Sequence, residues 1–516
     1  MDGHSRQDPA VRIVGLRKSY RGRPAVDGLD LEVARGETLG ALGANGAGKT
    51  TTVELVAGLR RADSGRISVL GLDPVRDRAA LRQVLGVQLQ ESFLHGALTV
   101  GELVDLYGSF YPCPRPREEL LDLVELREQA ATRFERLSGG QQQRVSVALA
   151  MIGRPRVLIL DELTTGLDPA ARRRMWRTLE TLHAEGTTIL LVSHAMDEVE
   201  RLCDRIVLLR AGREIAAGTP AEVTAAAGAA SLEDAFVDLT GSTPPRTGDP
   251  PMTAAQDTAS PAAPAPRPRR PGARALMMMV RAEGRMVARD VAGLVTPFAL
   301  PLLILLTSAA GASHQEIVAG RTVLDLYVLP LVLVMVLAFV GVLNMPSFLA
   351  YYRKSGILRR LAVTPASPVL VLLAQTIVSA VQAALGILVA AAVAALAFGA
   401  NPPLRLGSAL LALALTAAAM YATGMIVAAV APSPSAGTAI GLLGFLGLGA
   451  LGGMFGGRDS LPGPLAEIGA LLPFGAGVDA LAAAWAGQPL PGQALAALVG
   501  AVVVGTVVAG ALFRWE

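Results

Sequence analysis

The chain reads as two unlike folds in succession: an α/β domain built on a largely parallel sheet, then an all-α polytopic membrane domain with six transmembrane helices. Three observations carry this. Through about residue 240, short apolar runs such as ETLGALG (37–43), VLILDE (157–162) and TTILLVSH (187–194) alternate with helical patterns. That is the order of a sheet whose strands are covered on both faces. From Gly241 to Gly272 the composition shifts to Pro, Ala, Ser, Thr and Arg. Beyond residue 290 the chain is almost uninterrupted Ala, Leu, Val and Gly, in stretches near the ~20 residues that cross a bilayer.

The 516 residues suit two or three domains. With 46 Lys+Arg against 43 Asp+Glu and a formal charge of +3, no nucleic-acid partner is expected. Cys113 and Cys203 have no metal or redox spacing and read as thiols in a reducing compartment. The opening MDGHSRQDPA has no apolar core, so no cleaved signal peptide is expected.

The resulting map has an α/β domain at 1–240, a flexible linker at 241–272, an interfacial helix at 273–290 and a membrane domain at 291–516. The linker lacks the apolar groups that would offset its ordering entropy. In the helix, Arg274, Arg281, Arg285 and Arg289 form one basic stripe, with Leu276, Met277, Val280 and Val287 largely elsewhere, a pattern suited to an anionic membrane surface. Spans are expected at 291–310, 323–345, 369–398, 406–431, 436–455 and 493–513. An even number puts both ends on one side. Arg353, Lys354, Arg359, Arg360 and Arg514 fall on the expected inside, and only Arg321, Arg405 and Arg458 in outer loops. Residues 456–492 are too broken for a span and too apolar for a free loop, and read as an outer re-entrant or capping segment.

Chemistry concentrates in the first half. GANGAGKT (43–50) lies between a strand and a helical pattern, the setting a phosphate-binding loop requires. Gly43, Gly46 and Gly48 let the backbone turn its N–H groups toward phosphates, with Asn45, Ala47 and Thr51 completing the cradle at a helix N-terminus. Lys49 reaches the outer phosphates and the Thr50 hydroxyl a Mg²⁺ ion. VLILDE ends a strand with Asp161, a candidate metal-holding acid, and Glu162, a candidate general base. Ser138, Gly139 and Gly140 open another helix with N–H groups that meet no phosphate within one chain.

GANGAGKT, LSGGQQQR (137–144) and VLILDE together resemble the ATP-binding-cassette ATPases. Residues 11–240, including SLEDAFVDLTG (231–241), are similar to ATPase subunits of the daunorubicin-resistance branch of ABC exporters. The resemblance implies that ATP and Mg²⁺ are bound, with Asp161 holding the metal through water. It makes His194 the switch that senses the γ-phosphate, and Gln90 the side chain that touches metal and attacking water, with Gln88 nearby. Tyr20 is placed to stack on adenine. Ser138, Gly139, Gly140 and Gln141 would close over the ATP of a partner, and Gly166, Leu167 and Asp168 would couple the two sites. Leu163 stands where most members have Pro. The second half is similar to six-helix permeases, most clearly in RKSGILRRLAVTPASP (353–368), which would dock on the ATPase near Gln90 and Glu91.

The expected function is ATP-driven export of a hydrophobic or amphipathic small molecule, of antibiotic or natural-product type, by a dimer of half-transporters. The partner is a second copy or a related chain. The protein is expected in the cytoplasmic membrane, with its ATPase domain and both termini inside. Few polar groups (Asn344, Gln375, Gln382, Asp325) mark the spans, and the scarcity of charge there favours apolar cargo. Lipid or envelope-precursor export, or a non-transporting signalling machine, are the alternatives.

Overall fold

The computed structural model describes residues 8–89, 94–164, 167–241, 271–311, 316–317 and 320–512. The chain forms two compact units. One comprises Met1–Met278 together with Arg359–Pro368, the other Met279–Leu358 with Val369–Glu516.

The described residues of the first unit form nine strands: β1 (Val11–Tyr20), β2 (Arg23–Val33), β3 (Thr38–Gly43), β4 (Ser64–Val69), β5 (Leu85–Gln88), β6 (Val157–Asp161), β7 (Thr188–Val192), β8 (Arg205–Arg210) and β9 (Arg213–Gly218). An antiparallel sheet runs β2-β1-β4, and a second sheet runs β5-β6-β7-β3-β8-β9. In the second, β5 through β8 are parallel and only the edge strand β9 is antiparallel. Every residue of β3, β6 and β7 is buried. Continuous apolar runs therefore replace alternation, as in sheets covered on both faces. Two of its helices begin on capping boxes, formed by Thr99 with Glu102 and by Thr219 with Glu222.

The segment 359–368 is built into this α/β unit. Arg360 is buried, and its Nη2 donates to the Ser146 carbonyl at 2.6 Å in helix Gly139–Met151. Arg359 pairs with buried Glu54, which also holds Arg60. Val363 joins the unit's apolar core. Burial pulls the Arg360 guanidinium below its ordinary value, while Tyr107 and Tyr111 oppose that shift. The docking expected near Gln90 and Glu91 falls outside the described residues; the contacts observed are to Glu54 and Ser146.

Among its described residues the membrane unit has six helices long and apolar enough to cross a bilayer: Gly293–Gly311, Leu324–Tyr352, Val369–Phe398, Leu406–Val430, Pro434–Leu451 and Gly492–Leu512. The second runs past the expected end at 345 to Tyr352. It is the central element, buried along nearly its whole length, and it contains two π-helical stretches, Leu324–Val328 and Phe339–Asn344. The second stretch brings Gly341 against the fourth span, where a Cβ placed on Gly424 would lie 1.9 Å from the Gly341 oxygen. Only glycine permits backbones this close. Polar side chains tie the first three spans. Gln382 Nε2 donates to the Gly293 carbonyl at 2.8 Å, and Asn344 Nδ2 donates to Gln382 Oε1 at 3.3 Å.

The segment expected to be re-entrant is a pair of helices, Gly463–Leu471 and Pro473–Trp485, bent by 79°. Extended Leu472 followed by Pro473 breaks them apart. The second helix is almost wholly buried, and Asp479 on it pairs with Arg458. Arg458 is thus an internal tie rather than a free loop charge. Asp325 is equally structural: it is fully buried and accepts from the Asn401 amide at 2.7 Å and from the Thr322 amide at 3.1 Å.

Helix Ala273–Arg289 exposes Arg274, Arg281 and Arg285 as expected, but its buried face differs from the one read from sequence. Ala275, Met279, Ala282, Glu283 and Val287 are buried, while Met277 is exposed. Glu283 accepts a hydrogen bond from the Tyr352 hydroxyl, and its other oxygen has no partner among the described residues. Burial pushes its carboxyl up to about 7 against the opposing pull of Tyr352.

Two predictions follow from these contacts. An acid whose folded value is raised favours folding at low pH, and that contribution is lost as pH rises toward the folded value. The melting temperature of the purified protein is therefore expected to fall by a few degrees between about pH 5 and 7, and Glu283→Gln to flatten that slope in thermal scans. Gly424→Leu is expected to abolish recovery of folded protein in detergent, measured by size-exclusion chromatography, whereas Leu443→Ala on the exposed face of the fifth span leaves it unchanged.

Candidate functional site

The loop GANGAGKT leaves β3 and enters helix Lys49–Val56. Gly48 sits at φ +101°, and a Cβ on it would lie 2.3 Å from the Ala25 carbonyl oxygen. Conformation and close approach thus both demand glycine there. Lys49, Thr50 and Thr51 occupy the first turn, so their N–H groups have no partner within the helix and are available to an anion. Asn45, Gly46 and Thr50 are exposed, and Ala47 is buried against the fold. Lys49 is buried, with Nζ donating to the Gly43 carbonyl at 2.6 Å and the Ala44 carbonyl at 3.1 Å. Burial lowers its affinity for a proton, and Glu162 and Asp161 oppose that shift.

Those two acids come from the end of β6. Asp161 is 1% exposed, and among the described residues neither carboxylate oxygen has a hydrogen-bond partner. Its carboxyl is pushed up to about 6, first by burial and then by the charge of Glu162, while Lys49 and the Thr50 hydroxyl pull the other way. A buried, unpartnered carboxylate beside a hydroxyl suits a hard divalent cation that prefers oxygen ligands. Glu162 takes a left-handed backbone, φ +52°, a conformation costly for a side-chain-bearing residue. Its N–H donates to the Val192 carbonyl at 2.8 Å, and its carboxylate lies 2.9 Å from Nε2 of His194.

Lys49, Thr50, Asp161, Glu162 and His194 therefore converge. A second group stands apart from them. Ser138 caps helix Gly139–Met151, accepting from the Gln141 amide at 3.3 Å, while its own N–H donates to Gln141 Oε1 at 3.0 Å. Gln141 is thus one half of a capping box, and the turn faces solvent with Gly139 open. Gly140 abuts Leu167: a Cβ there would lie 3.1 Å from its Cδ2. Asp168 caps helix Pro169–Ala184 through the Ala170 and Ala171 amides. Ser138 and Gln141 bond to each other rather than to Lys49 or Glu162.

The remaining expected residues divide. Gln90 and Gly166 lie outside the described residues. Gln88 is buried structural support, its Oε1 accepting from the Asp161 amide at 3.0 Å and its Nε2 donating to Leu89. Tyr20 ends β1, and its ring already carries two cations, the Arg60 guanidinium at 5.3 Å and Lys18 Nζ at 5.7 Å from the centroid. Leu163, in place of the usual Pro, is fully buried, and its carbonyl accepts from Gln143 Nε2 at 3.1 Å. Sequence reasoning gave Arg144 no role. It is buried, and its Nη1 donates to the carbonyls of Val124 and Glu125, each at 3.0 Å.

Residues 26–165 match the ABC transporter family, and residues 274–485 match the ABC-2 type transporter family. The Nod factor export ATP-binding protein I of Rhizobium meliloti is 43% identical over 223 residues, 42% of this chain and 66% of that protein. The chain thus spans just under two thirds of that relative's length. The daunorubicin resistance ATP-binding protein DrrA3 of Streptomyces coeruleorubidus is 40% identical over 226 residues, 43% of this chain and 73% of that protein. A solved ATP binding subunit of an ABC transporter is 28% identical, covering 45% of this chain and 99% of its own, with a TM-score of 0.40. The chain belongs to the ABC transporter family, with an ABC ATPase domain and an ABC-2 type membrane domain in one polypeptide.

Proposed function

We propose that this chain is half of an ATP-driven exporter for a hydrophobic or amphipathic small molecule, working as a dimer of two copies. The observation that carries the reading is the split between the two clusters: Lys49, Asp161, Glu162 and His194 face one site, while the Ser138 turn faces outward. A solvent-facing helix N-terminus with phosphate-binding geometry gains a ligand if a second copy presents its nucleotide.

In this reading the loop N–H groups and Lys49 hold the phosphates of ATP. Lys49 exchanges its bonds to Gly43 and Ala44 for phosphate oxygens. Mg²⁺ would be held by Asp161 and Thr50, with Gln90 as a further ligand, and would neutralise charge on the phosphates. Glu162 takes a proton from the attacking water, and His194 orients that carboxylate and contacts the γ-phosphate. Tyr20 supports the base, sharing its ring with Arg60 and Lys18. Asp168 lies next to the Ser138 turn and couples the paired sites. Arg359 and Arg360, anchored on Glu54 and Ser146, carry closure to the spans that flank them in sequence.

The same segment supports an orientation. Residues 359–368 pack in the ATPase unit, which supports a cytoplasmic ATPase, a cytoplasmic-membrane location and spans that begin and end inside. The sparse charge of the spans supports apolar cargo, and the Nod factor and daunorubicin names of the relatives are consistent with amphipathic compounds.

Glu162→Gln is expected to lower ATP turnover by at least ~10²-fold while retaining nucleotide binding, measured by phosphate release and by filter binding. Cells expressing that variant should lose the resistance profile of wild type; identical profiles across antibiotic classes would remove drug efflux as the function. Copies carrying Lys49→Ala and Ser138→Arg should each be inactive alone, yet regain hydrolysis when co-assembled, because one composite site in the mixed dimer is intact. Failure of this complementation counts against the homodimer. Arg360→Ala should preserve basal hydrolysis and abolish its stimulation by cargo in proteoliposomes.

A further inference from the structure

Glu198 is a buried acid outside the cluster of Lys49, Thr50, Asp161, Glu162 and His194. It lies on the short helix Met196–Leu202, directly after His194, and is 0% exposed. A carboxylate so deeply buried must be satisfied by donors, and its donors come from three separate places. Ser193 Oγ donates to Oε2 and Trp176 Nε1 donates to Oε1 at 3.3 Å, and the nearby Thr164 hydroxyl helps to hold the carboxyl's proton affinity down against its burial. Ser193 Oγ also accepts from the Ala195 amide at 3.1 Å, so the residues on both sides of His194 are braced by one hydroxyl that Glu198 orients. Thr164 belongs to the loop that follows Glu162, and Trp176 to helix Pro169–Ala184, whose cap is Asp168.

We infer that Glu198 is a positioning residue for hydrolysis, holding the His194 loop, the loop behind Glu162 and the Asp168-capped helix in one register. This rests on the ATPase reading above and deepens it. A carboxylate accepts only, so every hydroxyl and N–H around it must point inward. Carboxylate chemistry, rather than bulk, sets the geometry. The 2.9 Å contact between His194 and Glu162 depends on where residues 162 and 193–195 stand, and catalytic arrangements tolerate only about 0.5 Å of drift.

The isosteric change Glu198→Gln tests this. Trp176 N–H can only donate and takes the amide oxygen. The amide N–H₂ then faces Ser193, which must accept instead of donating while it still accepts from Ala195. The 193–195 loop is expected to shift. In the full-length protein in lipid, kcat for ATP should fall about 10-fold or more with KM changed less than about 2-fold, at a melting temperature close to that of wild type. Ser193→Ala should lower kcat similarly, and the double variant Ser193→Ala/Glu198→Gln should be no worse than the single ones, as for residues acting as a unit. Ser193→Ala carries the same test if Glu198→Gln does not fold. A folded Glu198→Gln with wild-type kcat overturns the inference alone, as does a change confined to melting temperature. A wild type that does not hydrolyse ATP overturns the ATPase reading and this inference together.

Discussion

The lateral register of three strands fixes where the chemistry can happen. Ala41 of β3 and Asp161 of β6 both pair with Val192 of β7, so β6 and β7 end level with one another while β3 runs on to Gly43, where the phosphate loop begins. The phosphate loop leaves one end, the acid pair leaves another, and His194 leaves the third. Parallel strands place such ends on one edge of a sheet, where ligands of open α/β folds bind. A slip of β6 by one residue would turn Asp161 to the opposite face and separate it from Lys49. The main-chain bond from Glu162 to Val192 at 2.8 Å extends the pairing one residue beyond the strand, and the positive φ of Glu162 is the local strain that accompanies it.

A second constraint is electrostatic. The site gathers a buried cation and two acids, and their opposed effects show how finely it is balanced. Lys49 is disfavoured as a charged group by burial and favoured by its acidic neighbours; Asp161 is disfavoured by burial and by Glu162. Bringing further negative charge without a cation would raise the cost. Phosphate and a divalent ion arriving together suit such a site far better than phosphate alone.

Most of this was legible where chemistry is local in sequence. GANGAGKT is a strand, a turn and a helix within a few residues, so its geometry follows from the string, and the number of spans follows from uninterrupted apolar length. The capping box of Ser138 and Gln141 was visible as Ser-x-x-Gln, although Gln141 read as a ligand. What escaped was tertiary. Glu283, within a stripe of arginines, drew no reading from sequence, because nothing local announces Tyr352 as its partner. Arg360 reads as a loop charge on the inner side, although it is buried. Gln88 read as a weaker competitor of Gln90 for the metal, because its bond to the Asp161 amide lies across the sheet and leaves no local trace in the sequence. The bend at Leu472 was partly foreshadowed by Pro473, but the burial of the helix after it depends on partners far along the chain.

The insertion of residues 359–368 into the ATPase unit has a consequence for how this polypeptide can be divided. Val363 belongs to that unit's apolar core and Arg359 neutralises Glu54. A fragment cut within the proline-rich stretch would carry the phosphate loop and the Ser138 turn, yet leave Glu54 with Arg60 as its one cation and an apolar pocket open to water. Such a fragment is an unfinished domain, prone to self-association, and its missing piece is ten residues from the other half of the gene. Supplied as a free peptide, that piece is the natural additive for keeping the severed ATPase soluble.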